Sequence, residues 1–296
     1  MEETSGLKCG FWISLFLGCL LFACQDDSHE EQPFPNEETE NTSFAKIDIS
    51  EVQVGDAPAV TWQQSYHYDE SDRLVSVVTV QTFTAIESHE MREEKTLVYS
   101  EDQVCVIDDA GNRWTYHLDK NSGKAISCLY QSAGGSMRIY QFSYALMPNG
   151  KHGLSQVIEK IEGEDTDFCS LSIDYVSTDV SIVTKEIHGI RQDFELRYFT
   201  GSHPENVVQL PPLFLSELYP LSQHTVAMYA HLLGDYHPNL LQSVTPQENV
   251  YREVCTYAYK MEQNYPVNCE IRTVSQGEEY VRKLTFHFEE RLMKAE

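Results

Sequence analysis

Short turn motifs divide most of this 296-residue chain into runs that are each about one β-strand long. Between the turns, large apolar residues alternate with polar ones, as in Trp114, Tyr116 and Leu118. Alternation with period two between turns rich in Gly, Asn and Asp is typical of antiparallel β-hairpins. The turn motifs are Asp69 to Asp72, Gly111-Asn112, Asn121-Ser122-Gly123, Gly134-Gly135, Asn149-Gly150, Gly163, Ser177-Thr178-Asp179, Gly189 and Gly201.

The predicted strands, of about 8–10 residues, are longer than the usual five or six. Long strands in a consecutive antiparallel series are typical of a strongly curled sheet or barrel. We therefore expect a mainly β fold, an antiparallel hairpin meander curled into an open or partial barrel. Because no linker-like stretch follows residue 43, we expect residues 44–296 to form a single domain.

One segment, residues 211–241, departs from the alternation and predicts a helical insertion. Val226, Tyr229 and Leu233 recur at the spacing of one helix face. Ser222 is placed to cap the N-terminus of this helix and Gly234 its C-terminus. We therefore expect a helix from Ser222 to Gly234 that plugs or caps the concave side of the sheet.

The first 23 residues have the features of a lipoprotein signal peptide. The apolar run 11–23 is shorter than the roughly 18 residues that a membrane-spanning helix needs and has the length of a signal-peptide core. It ends in Leu-Phe-Ala-Cys at residues 21–24, which resembles a bacterial lipobox, in which the cysteine is acylated. The resemblance implies lipid attachment at Cys24, with Cys19, which follows Gly18, as the rival site.

Residues 24–43 are predicted to be an acidic flexible tether. Residues 25–43 hold seven acidic side chains, two prolines and no Lys or Arg, a composition that buries too little apolar surface to fold. A flexible coil of this length spans roughly 24 Å. The acidic residues directly after Cys24 resemble the surface-export signals of Bacteroidota-type lipoproteins. We therefore expect an outer-membrane lipoprotein that is either surface-exposed or faces the periplasm.

The formal net charge of −25 limits the partners of this chain. So negative a protein repels phosphate backbones and anionic lipid surfaces, which argues against nucleic-acid binding. Contact with the membrane is therefore expected through the N-terminal lipid. A glycan, a peptide or an outer-membrane protein remains as the partner, and the oligomeric state stays open.

Two parts of the chain resemble known families. Residues 66–77 (Tyr-His-Tyr-Asp-Glu-Ser-Asp-Arg-Leu-Val-Ser-Val) are similar to the Tyr-Asp hairpin unit of repeat-shell proteins and several lipoprotein families. Four short motifs, at residues 230–234, 239–241, 257–259 and 264–267, resemble the C-terminal half of an uncharacterised Bacteroidota-type gut lipoprotein family, a domain of unknown function with a porin-like fold, although Asn264 stands where that family usually has Gly. The resemblance implies a curled meander over most of the chain. Because the strands lack a continuous outward apolar band, we expect water and not lipid around it.

Five cysteines lie in the predicted β domain. The count is odd, and no two of them have C-x-x-C spacing, so a disulfide framework is disfavoured. We predict that they are mainly small buried packing residues, with at most one disulfide, Cys255 with Cys269 being the alternative. The five are Cys105, Cys128, Cys169, Cys255 and Cys269.

No catalytic motif stands out in the sequence. It has no H-E-x-x-H, serine elbow, phosphate loop or dinucleotide fingerprint, and we expect no catalytic residue, metal or cofactor. The acidic pairs fall in predicted turns, where Asp stabilises the turn itself. His67, His117 and His287 are predicted to be solvated strand residues. His224 is expected on the wetter face of the helix, so that His224→Ala changes stability little, whereas Leu233→Ala lowers the melting temperature.

Aromatic residues on two strands form the candidate ligand-binding set. They share one strand phase, which favours a role in the core. The alternative is a stacking platform for sugars or other flat ligands. The candidates are Trp62, Tyr66, Tyr68, Trp114 and Tyr116.

These features predict a membrane-anchored lipoprotein that binds a glycan, peptide or partner membrane protein without catalysis of its own. A glycan-acting hydrolase that uses the acidic turns is the first alternative. A structural or host-interaction surface protein is the second, and a concave face filled by side chains would favour it.

Overall fold

The computed structural model describes residues 40–53, 60–83, 89–201, 205–247 and 253–292. The predicted signal peptide, Cys24 and the tether as far as residue 39 lie outside the described residues. The strands are β1 (Glu40–Gln53), β2 (Val60–Tyr68), β3 (Leu74–Phe83), β4 (His89–Tyr99), β5 (Gln103–Asp108), β6 (Arg113–Leu118), β7 (Ala125–Gln131), β8 (Met137–Leu146), β9 (His152–Ile161), β10 (Asp167–Tyr175), β11 (Val180–Ile187), β12 (Ile190–Tyr198), β13 (Leu241–Pro246), β14 (Val254–Glu262), β15 (Tyr265–Ser275) and β16 (Glu278–Leu292). Two short helices, α1 (Leu213–Glu217) and α2 (Thr225–Tyr229), and a 3₁₀ turn at Leu221–His224 lie between β12 and β13.

The sixteen strands form one antiparallel meander that closes into a barrel. Each strand pairs with its neighbours in the chain, and β1 closes the sheet by pairing with β2 and β16 at once. In this closure Ile49 lies opposite Trp62 on one side and opposite Leu284 on the other. The predicted mainly β, antiparallel fold is confirmed, and the curl that we expected to be open or partial is completed by the first and last strands.

The buried side of the wall is its inner side. On β5 and β6, Val104, Val106, Trp114 and Tyr116 are buried, and the residues between them are more exposed. Ion pairs occupy the exposed positions, as between Arg92 and Glu94 on β4. Apolar side chains therefore face the interior of the barrel, and paired charges lie on its outer side.

Residues 211–240, which we call the plug, fill the barrel. They contact strands on all sides of the barrel wall. A single segment can reach all of these strands only if it lies inside the barrel. The contacts are Tyr229 with Tyr66 of β2, His224 with Tyr116 of β6, Leu232 with Ala125 of β7, Tyr219 with Glu159 of β9, Phe214 with Phe194 of β12 and Glu217 with Arg282 of β16. The predicted helical plug on the concave face is therefore confirmed.

The helix inside the plug is shorter than predicted. We expected one helix from Ser222 to Gly234, but Ser222 lies within the 3₁₀ turn, and α2 has no side-chain cap. The prediction failed because packing inside the barrel, and not capping, stabilises such short helices. Gly234 does adopt a left-handed conformation (φ +89°), in a turn after α2. A Cβ atom there would lie 3.0 Å from the carbonyl oxygen of His152.

None of the helices among the described residues has the length and apolar character that a membrane span requires. The described residues fall in one compact unit, Thr39–Glu296. Its first strand begins at Glu40, so that residues 40–43, predicted to belong to the tether, pair with the end of β16. Their polar composition concealed this strand, because the pairing depends on the long partner strand and not on local propensity.

The cysteines have the predicted packing role for the most part. All five are free; Cys128, Cys169 and Cys269 are buried, and Cys105 and Cys255 are half-buried. Cys269 lies opposite Tyr259 and Cys255 opposite Thr273, so that the alternative pairing of these two cysteines does not occur. Burial raises the pKa of the Cys169 and Cys269 thiols to about 12, which keeps them protonated at neutral pH.

We expect Leu233→Ala to destabilise the protein by about 3 kcal/mol, because Leu233 of the plug is fully buried in the core. For a domain of this size the melting temperature then falls by roughly 6–12 °C. The matched control is Leu146→Ala, since Leu146 is 62% exposed and its truncation is expected to change the stability by less than about 0.5 kcal/mol. Thermal unfolding followed by circular dichroism distinguishes them, and equal melting temperatures would mean that the plug does not contribute to the core.

Candidate functional site

The candidate aromatic residues lie in the wall, facing the plug. Tyr66, Trp114 and Tyr116 are buried, and Trp62 and Tyr68 are half-buried and pack against the same core. The ring of Tyr66 lies 4.6 Å from that of Tyr229 in α2. Tyr66 and Tyr116 thus contact the plug directly, and all five side chains belong to or pack against the same buried core.

His224 lies at the centre of an aromatic cage and not on the wetter face that we predicted. It is completely buried, and its Nδ1 is 2.8 Å from the hydroxyl of Tyr116. The rings of Tyr140 and Phe142 meet it edge-on at 4.3 and 5.2 Å. The prediction was wrong because it placed His224 on a regular helix, whereas the 3₁₀ turn has a different period and rotates this residue inward. Burial lowers the pKa of His224 to about 3, so that the ring is neutral at physiological pH.

A buried carboxylate joins the plug to β8 and β9. Glu159 is fully buried and accepts hydrogen bonds from Arg138 of β8 and from the hydroxyl of Tyr219 in the plug. The hydroxyl of Tyr140 lies 3.3 Å from the same carboxylate. Burial, followed by the hydrogen bond to Glu159, raises the pKa of Tyr219, which therefore remains a donor. The charge of Glu159 is neutralised by Arg138, whose guanidinium also lies 4.7 Å from the ring centre of Phe168.

The acidic turns do not converge on a pocket. Asp69 accepts hydrogen bonds from the backbone of Ser71 and Arg73, and Asp119 from that of Asn121 and Ser122, as predicted for residues that stabilise turns. Of the buried acidic residues described, Asp108 is bonded to Asn112 and Glu159 to the plug. Within the described ranges, no group of three His, Cys, Asp or Glu side chains is placed to hold a metal ion.

The cavity that the described residues enclose beside the plug is small. A cavity of about 30 Å³ lies between the plug and strands β13 to β16, lined mainly by apolar side chains that include Leu241, Tyr257 and Tyr259. This volume admits one or two water molecules, whereas a ligand pocket usually measures 300–1,000 Å³. Around the plug, the described residues therefore form a packed core.

A second, open space lies in the barrel wall itself. We call this space of about 660 Å³ the lateral groove. It runs between β13 and β14, and the rings of Tyr257 and Tyr259 separate it from the inner cavity, because both line both spaces. Its lining residues are Arg197, Phe199, Gln242, Ser243, Thr256, Tyr257, Ala258 and Tyr259.

Weak strand pairing produces the groove. In the described part of the chain, β13 and β14 pair at Ser243 with Thr256 and at Val244 with Cys255, whereas each other pair of neighbouring strands shares at least five residue pairs. A bulge at Gln242 diverts β13 just beyond this point, since Arg197 lies opposite Ser243 but the next residue of β12 lies opposite Leu241. The strands consequently separate beyond Thr256, and residues 257–259 of β14 line the groove.

Sequence reasoning did not identify this groove, because it depends on one bulge. A bulge inserts a single residue without a distinctive residue type when it is not formed by glycine. Gln242 is an exposed polar residue, and its residue type does not mark it as a bulge. The signal that the sequence does contain is an interruption of the alternation after residue 241. It coincides with the end of the predicted helical insertion, so it did not indicate a bulge.

The fold and the site together define a class: a closed antiparallel barrel that is filled by its own helical segment and open at one lateral groove. The chain belongs to the family described as a domain of unknown function (DUF4595) with porin-like fold, whose model matches residues 66–268. The resemblance to a domain of unknown function with a porin-like fold is thereby confirmed.

Two solved structures are similar to this chain over nearly their whole length. A porin-like protein from Bacteroides uniformis ATCC 8492 is 28% identical, with a TM-score of 0.74, over 83% of this chain and 98% of that one. A porin-like protein from Bacteroides vulgatus ATCC 8482 is 9% identical, with a TM-score of 0.54, over 84% and 99% of the two chains, and this likeness concerns the fold alone. Among curated proteins, none matches this chain.

Proposed function

We propose that the protein is a lipid-tethered, non-catalytic binding protein of the cell envelope that engages its partner at the lateral groove. The observation that carries this proposal is that the barrel is filled by its own plug while its wall is open between β13 and β14. A filled interior argues against the passage of solutes, and it moves the binding surface to the outside of the barrel.

The arrangement of the carboxylates disfavours the hydrolase alternative. Glycoside hydrolysis requires two carboxyl groups at a fixed separation across one substrate bond. Glu159 is occupied by Arg138 and Tyr219, and Asp108 by Asn112 at the end of β5. Neither residue lines the lateral groove. A bound glycan or peptide would therefore meet main-chain, aromatic and hydroxyl groups there, and no acid pair.

The filled interior also favours a second candidate, a structural or host-interaction surface protein that has no ligand groove in use. The two candidates differ in a direct binding screen. The full chain with Cys24→Ala is immobilised and tested against a glycan array and an array of extended peptides. Binding of a defined glycan or peptide at a Kd below about 100 µM supports a binding protein, and silence on both arrays supports the structural candidate.

We expect Cys24→Ala to release the protein from the membrane fraction and to abolish metabolic labelling with palmitate. The reason is that two or more acyl chains hold a protein stably on a bilayer, at about 0.8 kcal/mol for each buried methylene. Cys19→Ala is the matched control, and it is expected to retain both the label and the membrane association. If Cys24→Ala kept its full label while Cys19→Ala lost it, the lipid would be attached at Cys19.

A further inference from the structure

We infer that the edge of β14 in the lateral groove is a strand-addition site for an extended peptide of neutral or basic charge. This inference rests on the proposed function, because it names the partner class of the same groove. It identifies the ligand by its backbone, which would pair with residues 257–262 as an additional strand.

The first argument is the exposed edge itself. On its other side, β14 pairs with β15 along its whole length, from Val254 opposite Val274 to Glu262 opposite Tyr265. Toward β13 its described pairing ends at Thr256. A strand edge of this kind presents a row of backbone N–H and C=O groups, which is the surface that extended peptides recognise.

The dimensions of the edge fit a typical strand. Beyond Thr256 the remaining six residues of β14, at about 3.3 Å each, give an edge of roughly 20 Å, the usual length of one β-strand, and the first three of them line the groove. The divergence of β13 at Gln242 leaves about 660 Å³ beside this edge, so that the peptide need not displace a paired strand.

The side chains of the groove suit alternating contacts along such a peptide. Tyr257 and Tyr259 point toward the core and line the inner side of the groove, where the half-buried Tyr259 is the ring that an apolar side chain of the peptide would meet. Ala258 lies between them, is exposed and carries the smallest side chain of the β14 edge, so that it leaves the outer face of the groove open. A bound strand would place alternate side chains against these two faces.

Charge selects against an acidic peptide. The two cations beside the groove are already paired, Arg197 with Glu195 at 2.5 Å and Lys260 with Glu262 at 2.7 Å. The chain as a whole has a formal charge of −25. An acidic peptide would therefore be repelled at long range, and a neutral or basic one would be attracted.

Backbone methylation tests the proposed mode directly. The probes are octapeptides that alternate Val or Ile with Lys, Ser or Thr, measured by fluorescence anisotropy against the full chain with Cys24→Ala. Each binding peptide is compared with two isomers, N-methylated at the odd or at the even residues. Because an added strand directs alternate N–H groups to its partner, we expect one isomer to bind at least tenfold more weakly and the other to bind nearly as well as the parent.

A substitution locates the site. Ala258→Trp places a large side chain on the outer face of the groove, and we expect it to weaken peptide binding at least tenfold. The matched control is Ile139→Trp on β8, since Ile139 is also exposed but its strand is paired on both sides, with Leu129 and Lys160 as its neighbours. Both variants are first required to unfold at the wild-type temperature. If Ala258→Trp unfolds at a lower temperature, a second measurement on the wild type takes its place. That measurement is hydrogen exchange of the amides at 257–262, which peptide binding is expected to slow.

Several results would overturn the inference. The first is an equal loss of affinity in both methylated isomers. The second is unchanged peptide affinity of folded Ala258→Trp, or unchanged amide exchange at 257–262 when peptide is added. The last is binding of glycans without binding of peptides. The last result would leave the proposed binding function intact, whereas silence of every glycan and peptide would contradict both proposals.

Discussion

Arg138→Leu is expected to lower the free energy of unfolding by about 3 kcal/mol, because it leaves the carboxylate of Glu159 buried without its cation. Breaking a buried ion pair from one side typically costs about 3–5 kcal/mol, and the side chain of Arg138 is 32% exposed, which places the loss at the lower end of that range. The hydroxyl groups of Tyr219 and Tyr140 would remain near the carboxylate, but they carry no positive charge. The substitution thus removes the neutralising partner and retains the charge.

Urea unfolding at pH 7.5 measures this loss, and a double variant identifies its origin. Arg138→Leu with Glu159→Leu removes both charges, so we expect it to be more stable than Arg138→Leu alone by about 1–3 kcal/mol. The control is Arg272→Leu, whose ion pairs with Glu270 and Glu279 lie on the exposed surface, and we expect little change from it. A double variant less stable than Arg138→Leu would show that an unpaired charge is not the cause.

The contacts among Arg138, Glu159 and Tyr219 also indicate why the sequence predicted the strand order better than the contacts inside the barrel. The meander follows from local features, such as the turn at Asp69 and the alternation in β6, that lie within a few residues of one another. Arg138 and Tyr219 are 21 and 60 residues away from Glu159, and nothing in the neighbourhood of any of them indicates the other two. Their contact results from closing the barrel around the plug, and this step has no short-range signal.

Single-residue bulges in the strands also made the predicted inward and outward faces wrong, because they too lack a short-range signal. The alternation of Ile126, Cys128 and Tyr130 in the sequence predicts one face for all three, but Ile126 is 51% exposed and Ala125 is buried. A bulge between the pairs of His117 and Leu118 with β7 shifts the register by one residue. Because strand side chains alternate with period two, one extra residue moves every side chain beyond it to the opposite face. The bulge at Gln242, which opens the lateral groove, is a second case of the same limit.

The stability of the protein is expected to fall by about 2 kcal/mol when the pH decreases from 7 to 5, through His224 alone. Burial lowers the pKa of His224 to about 3 in the folded protein, whereas an unfolded histidine has a pKa of about 6.5. Between these two values the unfolded chain binds the extra proton, so stability is full above pH 6.5 and decreases by up to about 1.4 kcal/mol per pH unit below it. The cage has no anion in contact with the ring that would stabilise its charged form, since its described neighbours are Tyr116, Tyr140 and Phe142.

The comparison of wild type with His224→Gln isolates this contribution. Glutamine retains a hydrogen-bond acceptor for the hydroxyl of Tyr116 but does not titrate, so we expect its unfolding free energy to change about 2 kcal/mol less between pH 7 and pH 5. His231 and His237, whose pKa values burial also lowers, titrate in both proteins and cancel in the difference. The control is His67→Gln on the outer face of β2, which should retain the pH dependence of the wild type. If His224→Gln lost as much stability as the wild type over this range, then His224 would accept its proton within the folded barrel. The plug would in that case have to admit water, or move, at mildly acidic pH.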